Sequence, residues 1–262
     1  MDSRVLAVAR ARAPEEVAFA IGADEYPGLD AGPYSHWFDQ HGVELAGRIV
    51  GGDALARARQ LCHYLKSEIG FRGSDDYDDP RGNFLNDVID RRTGSPVAMA
   101  VVLMALGRRA GLEGSGVAFP GHFLVRIERR YADPFEGGAP LDRERLLSLA
   151  RETLDDSSQA TACFEPVGVR TVAVRLLLNL QRIHVQRADD ARAFVVCDRL
   201  FELTRSPTHR VDRGVHALEL GATRAAISDF EAYLVSHPEG ERATRAREEL
   251  RRVRATAPPL LH

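Results

Sequence analysis

The feature that most constrains the fold is an apolar run near the middle of the chain, VAMAVVLMAL at residues 97–106. Ser95 and Pro96 come directly before it and are typical of a helix N-cap and a first helical position, while Gly111 follows shortly after its end. The run is apolar on every side of a helix, and it is much shorter than the roughly 20 residues that cross a bilayer. It therefore predicts a helix buried at the centre of a domain.

The segments on either side of this helix differ in their periodicity. Residues 13–69 have apolar residues at helical spacing, with breaks at YPGLDAGPY and GGD, and FLNDVIDRR at 84–92 predicts a short helix. After the central helix, GVAFPGHFLVRI and RYADPF are aromatic and β-branched between glycine and proline, which predicts strands. PLDRERLLSLARETL then predicts a surface helix. This order indicates an α+β domain over residues 1–160.

The remainder of the chain is helical in pattern throughout. Helices are predicted at approximately 170–187, 189–205, 208–220, 222–236 and 239–255. Three residues recur at an offset of 31 positions, close to the ~34-residue period of tetratricopeptide helix pairs: Asp198, Leu203 and Pro207 return as Asp229, Leu234 and Pro238. DDSSQATACFEPVG at 155–168 is the predicted boundary, so residues 161–262 are expected to form an all-helical tail.

Charge, cysteine usage and missing motifs exclude several classes of protein. The net charge of −3 gives no electrostatic footprint for nucleic acid or an anionic membrane. Cys62, Cys163 and Cys197 are widely spaced, form no CxxC pair and favour a reducing cytoplasm, as does an N-terminus without a signal-peptide core. The histidines do not cluster, and GxGxxG, Walker A, HExxH and GxSxG motifs are missing. We therefore expect no metal, cofactor, nucleic-acid partner or membrane association.

One stretch, GHFLVRIERRYADPF at 121–135, combines a histidine and an aspartate across a predicted hairpin. A turn at Ile127–Glu128 would pair position 122 with 133, and a turn one residue later would pair 122 with 135 and leave Asp133 on the diagonal. In both registers the carboxylate can reach the imidazole of His122. The pair either orients a catalytic base, as in a catalytic triad, or simply ties two strands together.

The sequence around these residues resembles a bacterial family of transglutaminase-like proteins. The resemblance covers YDDPRGNFLNDVIDRRTGSPVAMAVVLMALGRRAGLEGSGVAFPGHFLVRIERRYADPF, residues 77–135. Members of that family usually continue into a tetratricopeptide-like tail. Two segments of this chain resemble such a tail: RLLLNLQRIH at 175–184 and HRVDRGVHALELGATRAAISDFEAYL at 209–234. The resemblance implies a transglutaminase/papain-like core, with a central buried helix on a small antiparallel sheet, before the all-α tail.

The resemblance also implies where a catalytic site would lie. In active members of the wider superfamily a cysteine opens the central helix, a histidine lies on a strand and an aspartate on the next. His122 and Asp133 match the last two, whereas the cysteine position falls on or beside Pro96. The alternative nucleophiles are Ser95, which N-capping already uses, and the thiols of Cys62 and Cys163. Candidates for lining a shared cleft are Asn83, Asn86, Asp87 and Ser95.

Two functions of different classes remain open at this point. The favoured one is a non-catalytic protein that binds a protein or peptide partner through the former cleft and the helical tail. The alternative is a cysteine-less hydrolase or acyl-transferase acting on amide bonds, with His122 as base and Asp133 as its orienter. The attacking group would then be water or Ser95.

Overall fold

The structure is a computed structural model that describes residues 11–49, 51–135, 139–153 and 163–256. The chain forms two compact units, Met1–Leu176 and Leu177–His262. The predicted boundary between residues 160 and 161 lies within the segment 154–162, outside the described residues, and stays a prediction. Each unit has its own set of elements and is described separately below.

The first unit combines helices with two small sheets. Its α-helices are α1 (Pro14–Glu25), α2 (Gly32–Arg48), α3 (Ala54–His63), α4 (Leu85–Arg91), α5 (Pro96–Arg109) and α6 (Arg143–Thr153), and α3 continues into a π-helical turn at Tyr64–Ile69. Two parallel two-residue strands, β1 (Arg72–Gly73) and β2 (Thr93–Gly94), pair with each other. An antiparallel sheet has the order β3 (Gly114–Val117), β4 (Leu124–Ile127), β5 (Arg130–Ala132) and β6 (Pro140–Leu141).

Helix α5 lies at the centre of this unit, as its apolar sequence predicts. The Ser95 hydroxyl oxygen caps it by accepting a hydrogen bond from the Ala98 backbone N–H at 3.4 Å, and Pro96 occupies its first turn. Every residue from Val97 to Gly107 is buried. The helix contacts α1, α2, α3 and α4 as well as strands β3 and β4, so helices cover part of its surface and the sheet covers another part. The predicted α+β core is therefore confirmed.

The hairpin between β4 and β5 adopts the second of the two predicted registers. Ile127 pairs with Arg130, so the turn consists of Glu128 and Arg129, whose φ angles of 45° and 71° are both positive. Such a two-residue turn matches the twist of the flanking strands, although glycine or asparagine is the usual choice there. An ion pair connects this turn to α3, because Arg57 Nη2 lies 2.6 Å from Glu128 Oε2.

The second unit consists of helices, and a fifth helix leads into it. Helix α7 (Val169–Gln186) runs across the division between the units, and α8 (Asp190–Thr204), α9 (Thr208–Glu219), α10 (Thr223–Ser236) and α11 (Glu241–Thr256) follow. All five lie close to their predicted positions. Contacts join successive helices from α8 to α11, and Phe230 and Tyr233 are among the residues that form their shared core. The predicted helical tail is thus confirmed.

The recurrence at 31 residues has a structural cause in the tail. Arg213 on α9 lies between the two equivalent aspartates, donating to Asp198 on α8 and to both oxygens of Asp229 on α10, at 2.7 and 2.6 Å. Asp229 is only 4% exposed, so its charge requires a close partner. The hydrogen bonds that Arg213 donates to Asp229 and then to Asp198 raise the pKa of Arg213 further above its already high usual value. One arginine therefore joins the same position of two successive helical repeats.

We expect Gly214→Ala to destabilise the tail. A Cβ at this position would lie 2.7 Å from Cε1 of the fully buried Phe230 ring. Overpacking of this kind costs about 1–3 kcal/mol, which outweighs the gain of about 1 kcal/mol from alanine in a helix. Urea denaturation followed by far-UV circular dichroism measures the change.

Gly47→Ala is the matched control for this substitution. Gly47 is also helical, near the end of α2, but a Cβ there meets nothing within 4 Å. The control should leave the free energy of unfolding unchanged or increase it by up to about 1 kcal/mol. Equal effects of the two substitutions would contradict the close approach of α9 to Phe230.

Candidate functional site

His122 and Asp133 form a hydrogen-bonded pair at one end of the antiparallel sheet. His122 Nδ1 lies 3.0 Å from Asp133 Oδ2, and the other carboxylate oxygen accepts from the Phe135 backbone N–H at 2.9 Å. Asp133 is only 2% exposed. Because a carboxylate can only accept hydrogen bonds, His122 donates through Nδ1, which leaves Nε2 as the acceptor of a neutral ring.

A tight turn places His122 just before β4. Its backbone N–H donates to the Phe119 carbonyl oxygen at 3.1 Å, which closes a four-residue turn with Pro120 and Gly121 in the middle. Gly121 has φ of +73°, the conformation that glycine favours at this position of a type II turn. Asp133 follows β5 directly, so the two side chains approach each other where neighbouring strands begin and end.

The second imidazole nitrogen of His122, Nε2, is not part of the contact with Asp133. Within the described part of the chain, Nε2 makes no hydrogen bond, and the side chain keeps 23% of its surface exposed. The aromatic ring of Phe119 is the neighbour on one side, with the ring centroids 6.4 Å apart. This arrangement has the orientation of a histidine base, with one nitrogen held by an acid and the other without a hydrogen-bond partner among the described residues.

A series of contacts connects the Asp133 segment to the start of α5. The ring of Phe135 packs over Gly73, where a Cβ would come within 2.6 Å of it. Gly73 pairs with Gly94 in the parallel sheet, and Gly94 directly precedes Ser95. These contacts link the segment that follows β5 to the strand that leads into α5, and the sharing of one site by His122, Asp133 and the first turn of α5 stays a prediction.

The start of α5 offers no thiol. Ser95 is 9% exposed and uses its hydroxyl oxygen as the helix cap, and Pro96 has neither a nucleophilic group nor an N–H. Burial raises the pKa of the Cys62 thiol to about 12, so that this cysteine is protonated at neutral pH. Cys163 is partly buried against the apolar cluster that contains Phe119. The nucleophile of this site therefore stays without an assignment.

Two of the predicted cleft residues interact with α1. The Tyr26 hydroxyl donates to Asp87 Oδ2 at 2.6 Å, and removal from water raises the pKa of Asp87. Asn86 Oδ1 is buried without a hydrogen-bond partner among the described residues, and a Cβ added to Gly22 of α1 would lie 3.3 Å from it. Asn83 is also buried, at 3% exposure. The assignment of these residues to a cleft stays a prediction.

An aspartate that the sequence analysis did not single out organises the loop beside α5. Asp79 accepts from the backbone N–H and the guanidinium of Arg81, both at 3.0 Å, and from Arg91 Nη1 at 2.9 Å. Burial alone would raise the pKa of Asp79, but the hydrogen bonds and charges of Arg81 and Arg91 lower it. The Gly82 carbonyl oxygen of the same loop accepts from the Ser95 N–H at 2.8 Å. The signal was present in the sequence, because aspartate before proline is a common helix cap.

Comparisons with known proteins agree with this geometry. A model of the transglutaminase-like superfamily matches residues 34–178, and a tetratricopeptide repeat model matches residues 180–251. A UPF0162 protein of Xylella fastidiosa is 37% identical over 234 residues, which cover 84% of this chain and 83% of that protein. The UPF0162 protein of Pseudomonas aeruginosa is 30% identical over 232 residues, with the same coverage.

A more distant similarity reaches beyond bacteria. F-box only protein 21 of human is 27% identical over 131 residues, which cover 45% of this chain but only 20% of that protein. No solved structure matches the chain. The fold, the bacterial relatives and the family model lead to one conclusion: the chain belongs to the transglutaminase-like superfamily, among its UPF0162 members with a tetratricopeptide repeat tail.

Two properties of the described residues concern membranes and metal ions. None of the helices in this part of the chain is long and apolar enough to cross a membrane. Within the same ranges, no three histidine, cysteine, aspartate or glutamate side chains come together as a set of metal ligands.

We expect Asp87→Asn to change how the stability of the protein depends on pH. The pKa of Asp87 is higher in the folded protein than in the unfolded chain, so folding favours the neutral carboxyl group. This contribution to stability is fully present below the unfolded pKa and is lost as the pH rises through the folded pKa. Asparagine cannot ionise and does not lose this contribution. The free energy of unfolding of the variant, relative to wild type, should therefore rise between about pH 3 and about pH 7.

Urea titrations at several pH values measure this difference. Asp90→Asn is the control, because Asp90 is an exposed carboxylate on the same helix that also accepts from a tyrosine, Tyr34, at 2.9 Å. A relative stability of Asp87→Asn that is flat or falls with increasing pH would contradict the environment described for Asp87.

Proposed function

We propose that the protein is a non-catalytic binding module for a protein or peptide, in which the His122–Asp133 pair is a vestige of a catalytic site. The observation that carries this proposal is the start of α5. At the position where the resemblance implies a cysteine, the chain has Pro96, and the adjacent Ser95 hydroxyl caps the helix. Without a thiol at this point, the oriented histidine lacks the side chain that such a base activates in covalent catalysis by a cysteine.

The environment of the cysteines supports the proposal. Burial raises the pKa of the Cys62 and Cys197 thiols to about 12, whereas catalytic thiols have pKa values lowered to about 3.5–7.5. Both side chains are packed as small apolar groups, Cys62 at 2% exposure and Cys197 fully buried. Neither one has the environment of a relocated nucleophile.

The tail supports the binding part of the proposal. Tetratricopeptide repeats stack helix pairs into extended surfaces that suit binding of protein segments. The proposal assigns partner binding to this tail and to the former cleft beside His122, in a cytoplasmic protein. The His122–Asp133 hydrogen bond then serves to fix the segment before β4 against the segment after β5.

A second function has a specific observation in its favour. Asp133 holds Nδ1 of His122, and Nε2 has no hydrogen-bond partner among the residues that the structure describes, which is the arrangement that a general base requires. In this alternative the protein is a cysteine-less hydrolase or acyl-transferase on amide bonds. The His122 ring would take a proton from water or from Ser95, and Asp133 would stabilise the resulting imidazolium.

His122→Ala decides between the two functions. With dimethylcasein as substrate, release of ammonia measures deamidation of glutamine and incorporation of a fluorescent amine measures acyl transfer. Our proposal predicts background rates for wild type and variant alike. General-base catalysis contributes about 10²–10⁴-fold, so a wild-type rate higher than that of His122→Ala by about that factor would establish the enzyme instead.

A binding measurement completes this test. Immobilised full-length protein should retain a partner from bacterial lysate that excess free protein displaces, and His122→Ala should retain the same partner through the tail but with lower affinity, because the substitution changes the cleft. Asp133→Asn is the matched variant, because it keeps the size of the side chain and one hydrogen-bond acceptor. Saturable capture that persists in both variants supports the proposal, and failure to capture any competable partner contradicts it.

A further inference from the structure

The last two helices of the tail form a groove between them. It is a cavity of about 460 Å³ between α10 and α11. Three residues of α10 and four of α11 line it: Glu231, Leu234, Val235, Arg247, Leu250, Arg251 and Arg254. We refer to these seven residues as the α10–α11 groove.

The floor of the groove is apolar and continues into the core of the tail. Leu250 is only 6% exposed and belongs to the core cluster, against which the partly buried Leu234 also packs. Val235 at the edge is 86% exposed, the largest exposure among the large apolar side chains recorded for the described residues. An apolar floor with an exposed apolar edge favours a ligand that brings apolar side chains of its own.

The walls of the groove are positively charged, in contrast to the net charge of −3 of the whole chain. Three guanidinium groups face a single carboxylate, that of Glu231, which pairs with Arg254 at 2.8 Å. Arg247 donates to the Pro238 carbonyl oxygen, and Arg251 has no hydrogen-bond or ion-pair partner among the residues that the structure describes. The local excess of positive charge therefore attracts an anionic ligand.

We infer that the α10–α11 groove binds an acidic peptide segment whose apolar side chains enter between Leu234, Val235 and Leu250. This inference rests on the proposed binding function and names the chemistry of the partner. Arg247 and Arg254 are separated by seven residues of helix, about 10 Å along the axis, which matches about two turns of a bound helix. The apolar floor favours a peptide over nucleic acid, because phosphate binding requires only the basic walls.

Fluorescence anisotropy with a defined probe tests the inference on the full-length protein. The probe is a fluorescein-labelled, amidated peptide of twelve residues with leucines at helical spacing and glutamates elsewhere. We expect saturable binding that Val235→Glu and Arg251→Glu each weaken by at least about tenfold. Both positions are exposed, so the variants should fold, and circular dichroism verifies this.

Two control variants separate the groove from general effects of charge. Arg245→Glu makes the same change as Arg251→Glu on an exposed residue of α11 outside the groove, and Val43→Glu matches Val235→Glu at a 73% exposed valine of the first unit. Both should retain the affinity of wild type for the probe. An equal loss of affinity in Arg245→Glu and Arg251→Glu would overturn the groove as the site.

Changes to the probe test the inferred chemistry. A peptide with serine in place of leucine should bind at least about tenfold more weakly, and a peptide with lysine in place of glutamate should not bind. Equal binding of the serine peptide, no binding of the original probe, or displacement by a single-stranded DNA oligomer at equal concentration would each overturn the inference. If competable capture of a partner persists when the probe fails, the inference falls and the proposed binding function stands.

Discussion

The structure of the first unit depends on one constraint, which is that α5 is apolar on every side and must be covered on every side. A single helix or sheet shields only one face, so the chain places α1, α2 and α4 on some faces of α5 and β3 and β4 on another. Because these elements pack closely around α5, glycine occupies positions where a neighbouring element leaves no room for a Cβ. At Gly42 of α2, for example, a Cβ would meet Cβ of Arg109 at 2.3 Å. The loop that carries Asp79 belongs to the same cover, because its short turn at Pro80–Asn83 contacts α5.

Local sequence signals were sufficient for the elements and insufficient for the contacts between them. Ser95, Pro96 and the apolar run predicted α5, and helical periodicity located the tail helices closely. The hairpin register stayed open between two alternatives because Glu128 and Arg129 are not typical residues of a two-residue turn. Contacts such as the one from Tyr26 to Asp87 join residues 61 positions apart, and spacing along the chain contains no information about them.

The candidate site and the tail illustrate two uses of a buried carboxylate. Asp133 is 2% exposed and is satisfied by one imidazole and one backbone N–H, which fixes the orientation of His122. Asp229 on α10 is 4% exposed and is satisfied by Arg213 on α9, which it shares with Asp198 on α8. In both cases the cost of burying a charged carboxylate is offset only when its partner lies at one defined position. These pairs therefore fix the positions of the side chains more than they add to the free energy of unfolding.

Proline at the first position of α5 lacks two groups, a nucleophilic side chain and a backbone N–H. The backbone N–H groups in the first turn of a helix are natural donors to an anion, and such donors stabilise the oxyanion that forms during acyl transfer. Pro96 has no N–H, and the Ala98 N–H already donates to Ser95. Under the proposed function, one residue type at this position thus lacks both a possible attacking atom and one oxyanion donor. Any non-proline residue that supplied a thiol here would supply the main-chain N–H as well.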